Sequence, residues 1–165
     1  MSTAQFLELC DTVVTMAKAH EATVIVNDRA DLALMSRASG VHVGQDDLAP
    51  SLARRIVGEG AVIGLSTHTV AQVQAALNEP ISYLAVGPVF GTRTKETGYE
   101  AVGLNFVSIA ARLAGRLPVV AIGGVTLQNA RSVIDAGAAA VAVIGDLLHA
   151  PDVPGRVSAY VRALA

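Results

Sequence analysis

Short runs of β-branched and small apolar residues recur along this chain, and their spacing constrains the fold more than any other feature. The runs begin at Val24, Val41, Ala61, Tyr83, Val119 and Ala140. They are too short for helices and are apolar at consecutive positions, as in strands buried on both faces of a parallel sheet. Segments with helical periodicity separate them, and one such segment precedes the first run. The pattern predicts an α/β protein in which six parallel strands alternate with helices.

Two architectures fit this alternation, an open doubly wound sheet and a (β/α)₈ barrel, and the periodicity does not separate them. A complete barrel needs at least roughly 200 residues. This chain has 165 residues, and no linker or low-complexity segment interrupts the pattern, so we expect a single domain over residues 1–165. In either architecture, the loops after successive parallel strands lie side by side at one edge of the sheet, where ligands bind.

Composition and charge exclude several classes of function. The sequence is 52% hydrophobic and 16% charged, with a formal net charge of -2. This balance provides no basic surface, so we expect neither nucleic acid nor an anionic membrane as a partner. No apolar run approaches the roughly 18 residues of a membrane span. The single cysteine, Cys10, excludes an internal disulfide and is typical of the reducing cytoplasm, where we expect the protein to act.

Carboxylates follow two of the predicted strands. Asp28 comes just after the run at Val24, and Asp47 lies in the exit loop of the run at Val41. Neighbouring strand ends would place both side chains at the mouth of one site. Two hard oxygen ligands there suit Mg²⁺, which keeps several waters and takes its other ligands from substrate phosphates. The alternative is that both residues are ordinary helix N-caps, and the spacing leaves the two interpretations open.

The ends of the last two predicted strands have the character of a phosphate site. Gly123 and Gly124 allow the backbone to approach an anion closely, and Ile144-Gly145 leads into a short helix whose first N–H groups point outward. Barrels often bind phosphate at these two loops and at a short extra helix. The alternative is that these glycines serve only tight turns.

The long polar loop after the strand at Tyr83 offers further donors. Thr92 and Thr94 supply hydroxyls and Lys95 an ammonium, and such a loop can close over a diphosphate and neutralise charge as it leaves. A simple solvated loop is the alternative interpretation. Ser66 adds one more donor, whereas His42 lies inside a β run, where we expect a core histidine. No Ser-His-Asp or Cys-His arrangement is evident in the sequence.

Six motifs together resemble the thiamine phosphate synthase family, in that family's order and spacing. They are NDRADLAL, GVHVGQDDL, IGLSTHT, YLAVGPVFGTRTK, PVVAIGGVTLQN and the final AVIG. The resemblance covers nearly the whole chain. It implies a (β/α)₈ barrel of the TIM type and a transferase that joins hydroxymethylpyrimidine diphosphate to a thiazole phosphate, with release of pyrophosphate.

Carried over motif by motif, the resemblance implies roles for individual residues. Asn27, Ser66 and Lys95 would hold the pyrimidine diphosphate, and Asp28 and Asp47 would hold its Mg²⁺. The residues that would contact the thiazole phosphate are Thr92, Arg93, Thr94, Gly124, Ile144 and Gly145. In that family the diphosphate departs first and the thiazole nitrogen captures the pyrimidine cation. Such chemistry needs charge stabilisation and exclusion of water more than a general base, and Lys95 is the expected catalytic residue.

Two departures from the family pattern bear on these expectations. Gly145 stands where the family usually has Ser, so a hydroxyl is lost while the backbone donor remains. The chain also begins where the family's second helix begins, without the first two strands and the Gln-x-Arg-x-Lys segment that grips the pyrimidine diphosphate. We therefore expect either a shortened member with an incomplete six-stranded barrel, or a start placed late in a longer reading frame.

Two other functions fit parts of the pattern. A non-catalytic phosphate-binding or regulatory relative would keep the site without turnover, and the missing segment favours it. A thiazole tautomerase needs neither metal carboxylate, so Asp28 and Asp47 argue against that function. The expected partners are the two small-molecule substrates, and the unpaired edges of an incomplete barrel leave homo-oligomerisation as an outcome to be tested.

Overall fold

The computed structural model describes residues 1–91 and 99–165, which form two compact units. The first unit comprises Met1–Ser66 and Asn78–Tyr83, and the second comprises Thr67–Leu77 and the described part of Leu84–Ala165. Among the helices of these residues, none combines the length and the apolar character needed to cross a membrane.

Strands and helices alternate throughout the described residues. The strands are β1 (Ile25–Asn27), β2 (Gly40–Val43), β3 (Val62–Thr67), β4 (Tyr83–Val86), β5 (Val119–Ile122) and β6 (Ala140–Ala142). The helices are α1 (Thr3–Lys18), α2 (Ala30–Met35), α3 (Pro50–Val57), α4 (Val70–Ala76), α5 (Gly103–Ala114), α6 (Ala130–Asp135), α7 (Gly145–Leu148) and α8 (Val153–Leu164). Each predicted strand is therefore present.

Strand order separates the two architectures that the sequence left open. The sheet has the order β1-β2-β3-β4-β5-β6, which is also the order along the chain. The pairs β1–β2, β2–β3, β4–β5 and β5–β6 are parallel. A doubly wound sheet reverses its strand order at a switch point, whereas a TIM-type barrel keeps sequential order. The predicted α/β fold of TIM-barrel type with six parallel strands is confirmed, and the doubly wound sheet is excluded.

The first unit is built around β1, β2 and β3. Its α1 helix begins with a capping box, in which Ser2 Oγ accepts from the Gln5 N–H at 3.2 Å and Gln5 Oε1 accepts from the Ser2 N–H at 2.8 Å. The core consists of fully buried aliphatic side chains from both helices and strands, among them Leu32, Ala33, Val41, Val43 and Ile63. Burial of each larger member contributes about 1.5–3 kcal/mol, which is why these β-branched runs become central strands.

The second unit contains β4, β5 and β6, with Leu84 paired to Val119 and Val120 to Ala140. Its core strands contribute buried Leu84 and Val119, against which helices such as α5 supply Val107. A separate cluster forms where Tyr160 of α8 packs against Val125 and Ala130. This cluster lies beside the exit of β5 and therefore supports the segment that carries the glycine pair.

Several element ends differ from those that the sequence pattern predicts, which are a helix closed by Gly40, an exit loop that begins at Ser66 and a last strand that extends to Ile144. Gly40 does not close α2, which ends at Met35; it begins β2, where a Cβ would overlap the backbone of Val62. Strand β3 continues through Ser66 to Thr67, so Ser66 is a strand residue and not part of an exit loop. Strand β6 ends at Ala142, before Ile144. Hydrogen bonding between neighbouring strands sets these limits, and a single strand's composition does not contain that information.

Candidate active site

Asn27 and Asp28 stand together at the carboxyl end of β1. Asn27 pairs in register with His42 of β2, and the Asp28 N–H donates to the His42 carbonyl at 2.8 Å. Asp28 has a φ of 64°, a left-handed conformation that aspartate tolerates better than most residues. Asn27 Nδ2 donates to Asp28 Oδ1 at 2.9 Å. The turn therefore fixes the carboxylate at the strand end, and the Asn27 amide orients it.

Asp47 lies in the exit loop of β2, where its Oδ2 accepts the Gly44 N–H at 2.7 Å. Neither predicted metal ligand caps a helix. The N-cap of α2 is Arg29 and the N-cap of α3 is Ala49, and neither position makes a side-chain capping hydrogen bond. The interpretation of Asp28 and Asp47 as ordinary N-caps is therefore wrong. Both carboxylates are exposed and follow adjacent parallel strands.

The donor set at these two strand ends fits a loosely held hard cation. Within residues 1–91 and 99–165, no group of three or more His, Cys, Asp or Glu side chains is placed to hold a metal ion. Two carboxylates do not complete the shell of a structural metal site. They suit Mg²⁺, which retains waters and binds substrate phosphate oxygens as further ligands.

Ser66 is held by residues that the sequence did not identify as part of a site. Its Oγ lies 2.8 Å from His42 Nε2, and His42 Nδ1 lies 2.8 Å from the Tyr83 hydroxyl. The His42 and Tyr83 rings stack with centroids 5.5 Å apart. Burial raises the pKa of the Tyr83 phenol, so this hydroxyl keeps its proton at neutral pH. The three side chains form a continuous hydrogen-bonded row.

Two other residues make this row possible. Gly64 is the register partner of His42, and a Cβ built at Gly64 would overlap both the Tyr83 ring and His42 Nδ1. Gln45 Nε2 donates to the Ser66 carbonyl at 2.7 Å and so fixes the backbone of the same residue. The available signal in the sequence was one polar residue inside an apolar run, His42, and one directly after the next run, Ser66, because these two runs form the neighbouring strands β2 and β3.

The glycine pair after β5 adopts a conformation that other residues rarely reach. Gly123 has a φ of 95° and Gly124 a φ of 65°. A Cβ at Gly124 would overlap the Gly91 carbonyl and the Phe90 side chain. Asn129 Nδ2 donates to the Gly124 carbonyl at 3.1 Å, while Asn129 Oδ1 accepts the Thr126 N–H at 2.8 Å. Close backbone approach therefore requires glycine here, and Asn129 secures the turn.

Ile144 and Gly145 lie at the start of α7, where Ile144 is the N-cap and no side chain caps the helix. The next residue, Asp146, anchors the helix: its Oδ2 accepts from the Tyr160 hydroxyl at 2.7 Å and from the Leu127 N–H at 3.3 Å. Burial, together with the hydrogen bond to Asp146, raises the pKa of Tyr160 well above the ordinary tyrosine value. Asp146 thereby joins the exits of β5 and β6.

The remaining predicted residues, Thr92, Arg93, Thr94 and Lys95, lie outside the described residues. Tyr99, which follows this segment in the chain, stacks on His68 with ring centroids 3.8 Å apart. His68 Nδ1 is 2.5 Å from the Gly87 carbonyl, so this nitrogen carries the proton. The sequence analysis assigned no role to either ring.

Comparison with known proteins identifies the family. The model of the thiamine monophosphate synthase family matches residues 1–147 of the chain. The chain belongs to this family. A thiamine-phosphate synthase of Acidothermus cellulolyticus is 46% identical over 160 residues, which cover 96% of this chain and 75% of the relative. A thiamine-phosphate synthase of Koribacter versatilis is 50% identical over 131 residues, which cover 79% of this chain and 62% of the relative.

A solved structure supports the same assignment. Thiamine phosphate pyrophosphorylase from Pyrococcus furiosus superposes with a TM-score of 0.91 and is 29% identical, over 99% of this chain and 78% of that one. The predicted membership of the thiamine phosphate synthase family is confirmed. The roles of the individual site residues in this family member stay predictions, as does the Mg²⁺ ion.

Proposed function

We propose that this chain acts as a transferase of thiamine biosynthesis that condenses hydroxymethylpyrimidine diphosphate with thiazole phosphate. The names of the relatives and of the solved structure support this reaction. The observation that carries it within the chain is the pair Asp28 and Asp47, two exposed carboxylates that follow neighbouring strands and cap no helix. Such a pair suits a Mg²⁺-bound diphosphate, because Mg²⁺ is usually held by one or two carboxylates together with substrate phosphates.

The residues of the first unit bind the pyrimidine diphosphate and its cation. Asp28 and Asp47 would hold Mg²⁺, which would offset the negative charge of the diphosphate and so make it a better leaving group. Asn27 orients Asp28 through the 2.9 Å hydrogen bond of its amide. Ser66, fixed at both its backbone and its hydroxyl, donates to the anionic substrate.

The single buried Cys10 supports action in the reducing cytoplasm.

The second unit binds the thiazole phosphate. The backbone at Gly124, Ile144 and Gly145 provides N–H groups at the exits of β5 and β6, and Thr92, Arg93 and Thr94 provide further donors. Lys95 neutralises the charge that develops on the departing diphosphate. The bond between the pyrimidine methylene carbon and the diphosphate oxygen breaks first, and its electron pair leaves with pyrophosphate. The thiazole nitrogen then donates its lone pair to the methylene carbon.

Formation of thiamine phosphate by the purified chain at increasing Mg²⁺ concentrations tests the proposal. Asp28→Asn and Asp47→Asn should each lower kcat/KM by at least about tenfold at limiting Mg²⁺, with partial recovery at high Mg²⁺. Asp46→Asn changes an exposed carboxylate of the same loop and should have little effect. Binding of the pyrimidine diphosphate without turnover at any Mg²⁺ concentration would favour the non-catalytic relative. Loss of activity equal in all three variants would contradict the metal role.

A further inference from the structure

When the His42 imidazole is neutral, the Tyr83–His42–Ser66 row has two self-consistent arrangements of its protons. A neutral imidazole has one N–H and one lone pair. In the first arrangement Tyr83 donates to Nδ1 and Nε2–H donates to Ser66 Oγ, which leaves the Ser66 proton available for a ligand. In the second arrangement, Nδ1–H donates to the Tyr83 oxygen and the Ser66 hydroxyl donates to Nε2, so that its proton is not available for a ligand. The direction of the Ser66 hydroxyl thus depends on the tautomer of His42, 24 residues away in sequence.

The surroundings of Tyr83 favour the first arrangement. The phenol lies over Gly64, where the absence of a side chain leaves room for its contact with Nδ1. Among the described residues, the structure gives His42 as the hydrogen-bond partner of this hydroxyl. In the second arrangement the phenol proton would need another acceptor at a half-buried position, and an unsatisfied polar group there costs free energy.

The chemistry of the ligand requires the same arrangement. Ionised phosphate oxygens accept hydrogen bonds and have no proton to donate. A Ser66 that has given its proton to His42 would present only lone pairs to such an oxygen and would repel it. A Ser66 that accepts from Nε2–H donates instead, and acceptance from the imidazole also strengthens its donation.

We propose that His42 is a positioning residue, which Tyr83 holds in the Nε2–H tautomer so that the Ser66 hydroxyl donates to the anionic pyrimidine substrate. His42 acts through Ser66 and contacts no reacting atom. This inference rests on the proposed function for the identity of the substrate, but the proton arrangement itself is a property of the free protein. Gln45, in the loop after β2, also fixes the Ser66 backbone through its hydrogen bond to the Ser66 carbonyl.

The tautomer can be measured directly on the unaltered chain. Nitrogen-15 NMR of histidine-labelled protein at neutral pH distinguishes the pyrrole-like nitrogen, which carries hydrogen, from the pyridine-like one. We expect His42 Nε2 to be pyrrole-like. Tyr83→Phe removes the donor to Nδ1 and should shift the population of His42 towards the other tautomer. A pyrrole-like Nδ1 in the unaltered protein would overturn the proposal.

A matched pair of substitutions separates positioning from packing. The amide of Gln places an N–H near the position of Nε2 and can still donate to Ser66, whereas the shorter Asn reaches only the position of Nδ1. His42→Asn should raise the KM for the pyrimidine diphosphate about tenfold and leave the KM for the thiazole phosphate unchanged, and His42→Gln should recover most of this loss. The unfolding temperatures of both variants should also be measured. An equal rise in the KM for the pyrimidine diphosphate in two variants of equal unfolding temperature would overturn the proposal.

A double-mutant cycle with Ser66 completes the test. Because His42 acts through Ser66, His42→Asn should cause no further loss in a Ser66→Ala background. Independent, multiplicative losses would show that His42 acts elsewhere. If the unaltered chain forms no thiamine phosphate, the proposed function fails, but the inference can still be tested by binding of Mg²⁺-pyrophosphate. The unaltered protein and His42→Gln should then bind Mg²⁺-pyrophosphate more tightly than His42→Asn does. Any other order of affinities contradicts the inference.

Discussion

Tyr160→Phe tests the anchor that holds α7 in place. The substitution removes one hydroxyl and leaves the ring, so the cluster of Tyr160 with Val125 and Ala130 keeps its packing. The lost contact is the 2.7 Å hydrogen bond from the phenol to Asp146 Oδ2. The Asp146 side chain is only 17% exposed, so water does not readily replace the missing donor.

The magnitude follows from the contacts that remain. A hydrogen bond to a charged group contributes about 1.5–3 kcal/mol to stability. Asp146 keeps the Leu127 N–H at 3.3 Å and Arg156 at 3.4 Å, so its charge is not left without donors. We therefore expect the lower half of that range, about 1.5–2 kcal/mol. With a urea m-value of about 2 kcal/mol/M, the unfolding midpoint should fall by about 0.75–1 M.

Urea unfolding followed by far-UV circular dichroism is the suitable assay, because the chain contains no Trp. Asp135→Asn provides the control: it breaks the Arg131–Asp135 ion pair, whose side chains are 60% and 59% exposed. Such a pair contributes no more than about 0.5 kcal/mol, so its midpoint should move by less than about 0.25 M. If the two variants lose the same stability, the partly buried network around Asp146 is no stronger than a surface ion pair, and the reasoning is refuted.

Three further predictions concern Gly124, Gly64 and the two tyrosines Tyr83 and Tyr160. Gly124→Ala should destabilise by at least about 2 kcal/mol in urea unfolding, because its φ of 65° is left-handed and a Cβ would overlap Phe90; a smaller loss would show that this turn adapts. Gly64→Ala should displace Tyr83, seen as a changed near-UV dichroism spectrum, and raise the KM for the pyrimidine diphosphate; an unchanged spectrum would contradict the close contact. The stability that Tyr83 and Tyr160 contribute should be constant with pH below about 10 and be lost above it, because burial raises the pKa of both phenols in the folded state, so that the unfolded state loses these protons first; a rise in the unfolding midpoint above that pH would have the wrong sign.

The sequence determined the elements and the fold class because both depend on local pattern. The six apolar runs too short for helices became strands, and the Ser-x-x-Gln pattern at Ser2 and Gln5 formed a capping box. The family motifs were equally local, since each is a continuous stretch at a strand end. Pro50 likewise stands in the first turn of α3, where its fixed φ is compatible with the helix.

The tertiary structure decided the order of the strands in the sheet and the residues that cap the helices after β1 and β2. Sequential strand order excluded the doubly wound sheet, and the observed caps Arg29 and Ala49 excluded the capping role for the two carboxylates. Neither result is contained in a window of neighbouring residues. Aspartate is a favoured N-cap residue, but the turns after β1 and β2 place Arg29 and Ala49 at the helix starts instead of Asp28 and Asp47.

The row through Tyr83, His42 and Ser66 shows the physical reason most clearly. His42 and Tyr83 are 41 residues apart, and their contact exists only because β2 and β3 pair with His42 opposite Gly64. From the sequence alone, a histidine inside an apolar run such as His42 is predicted to be a core residue, because its neighbours in space are unknown. The strand register places His42 beside the Tyr83 phenol and the Ser66 hydroxyl. Gly64, opposite His42 on β3, has no side chain and so leaves room for the Tyr83 ring. Periodicity fixes which face of a strand a residue occupies, but only the assembled sheet fixes what it meets there.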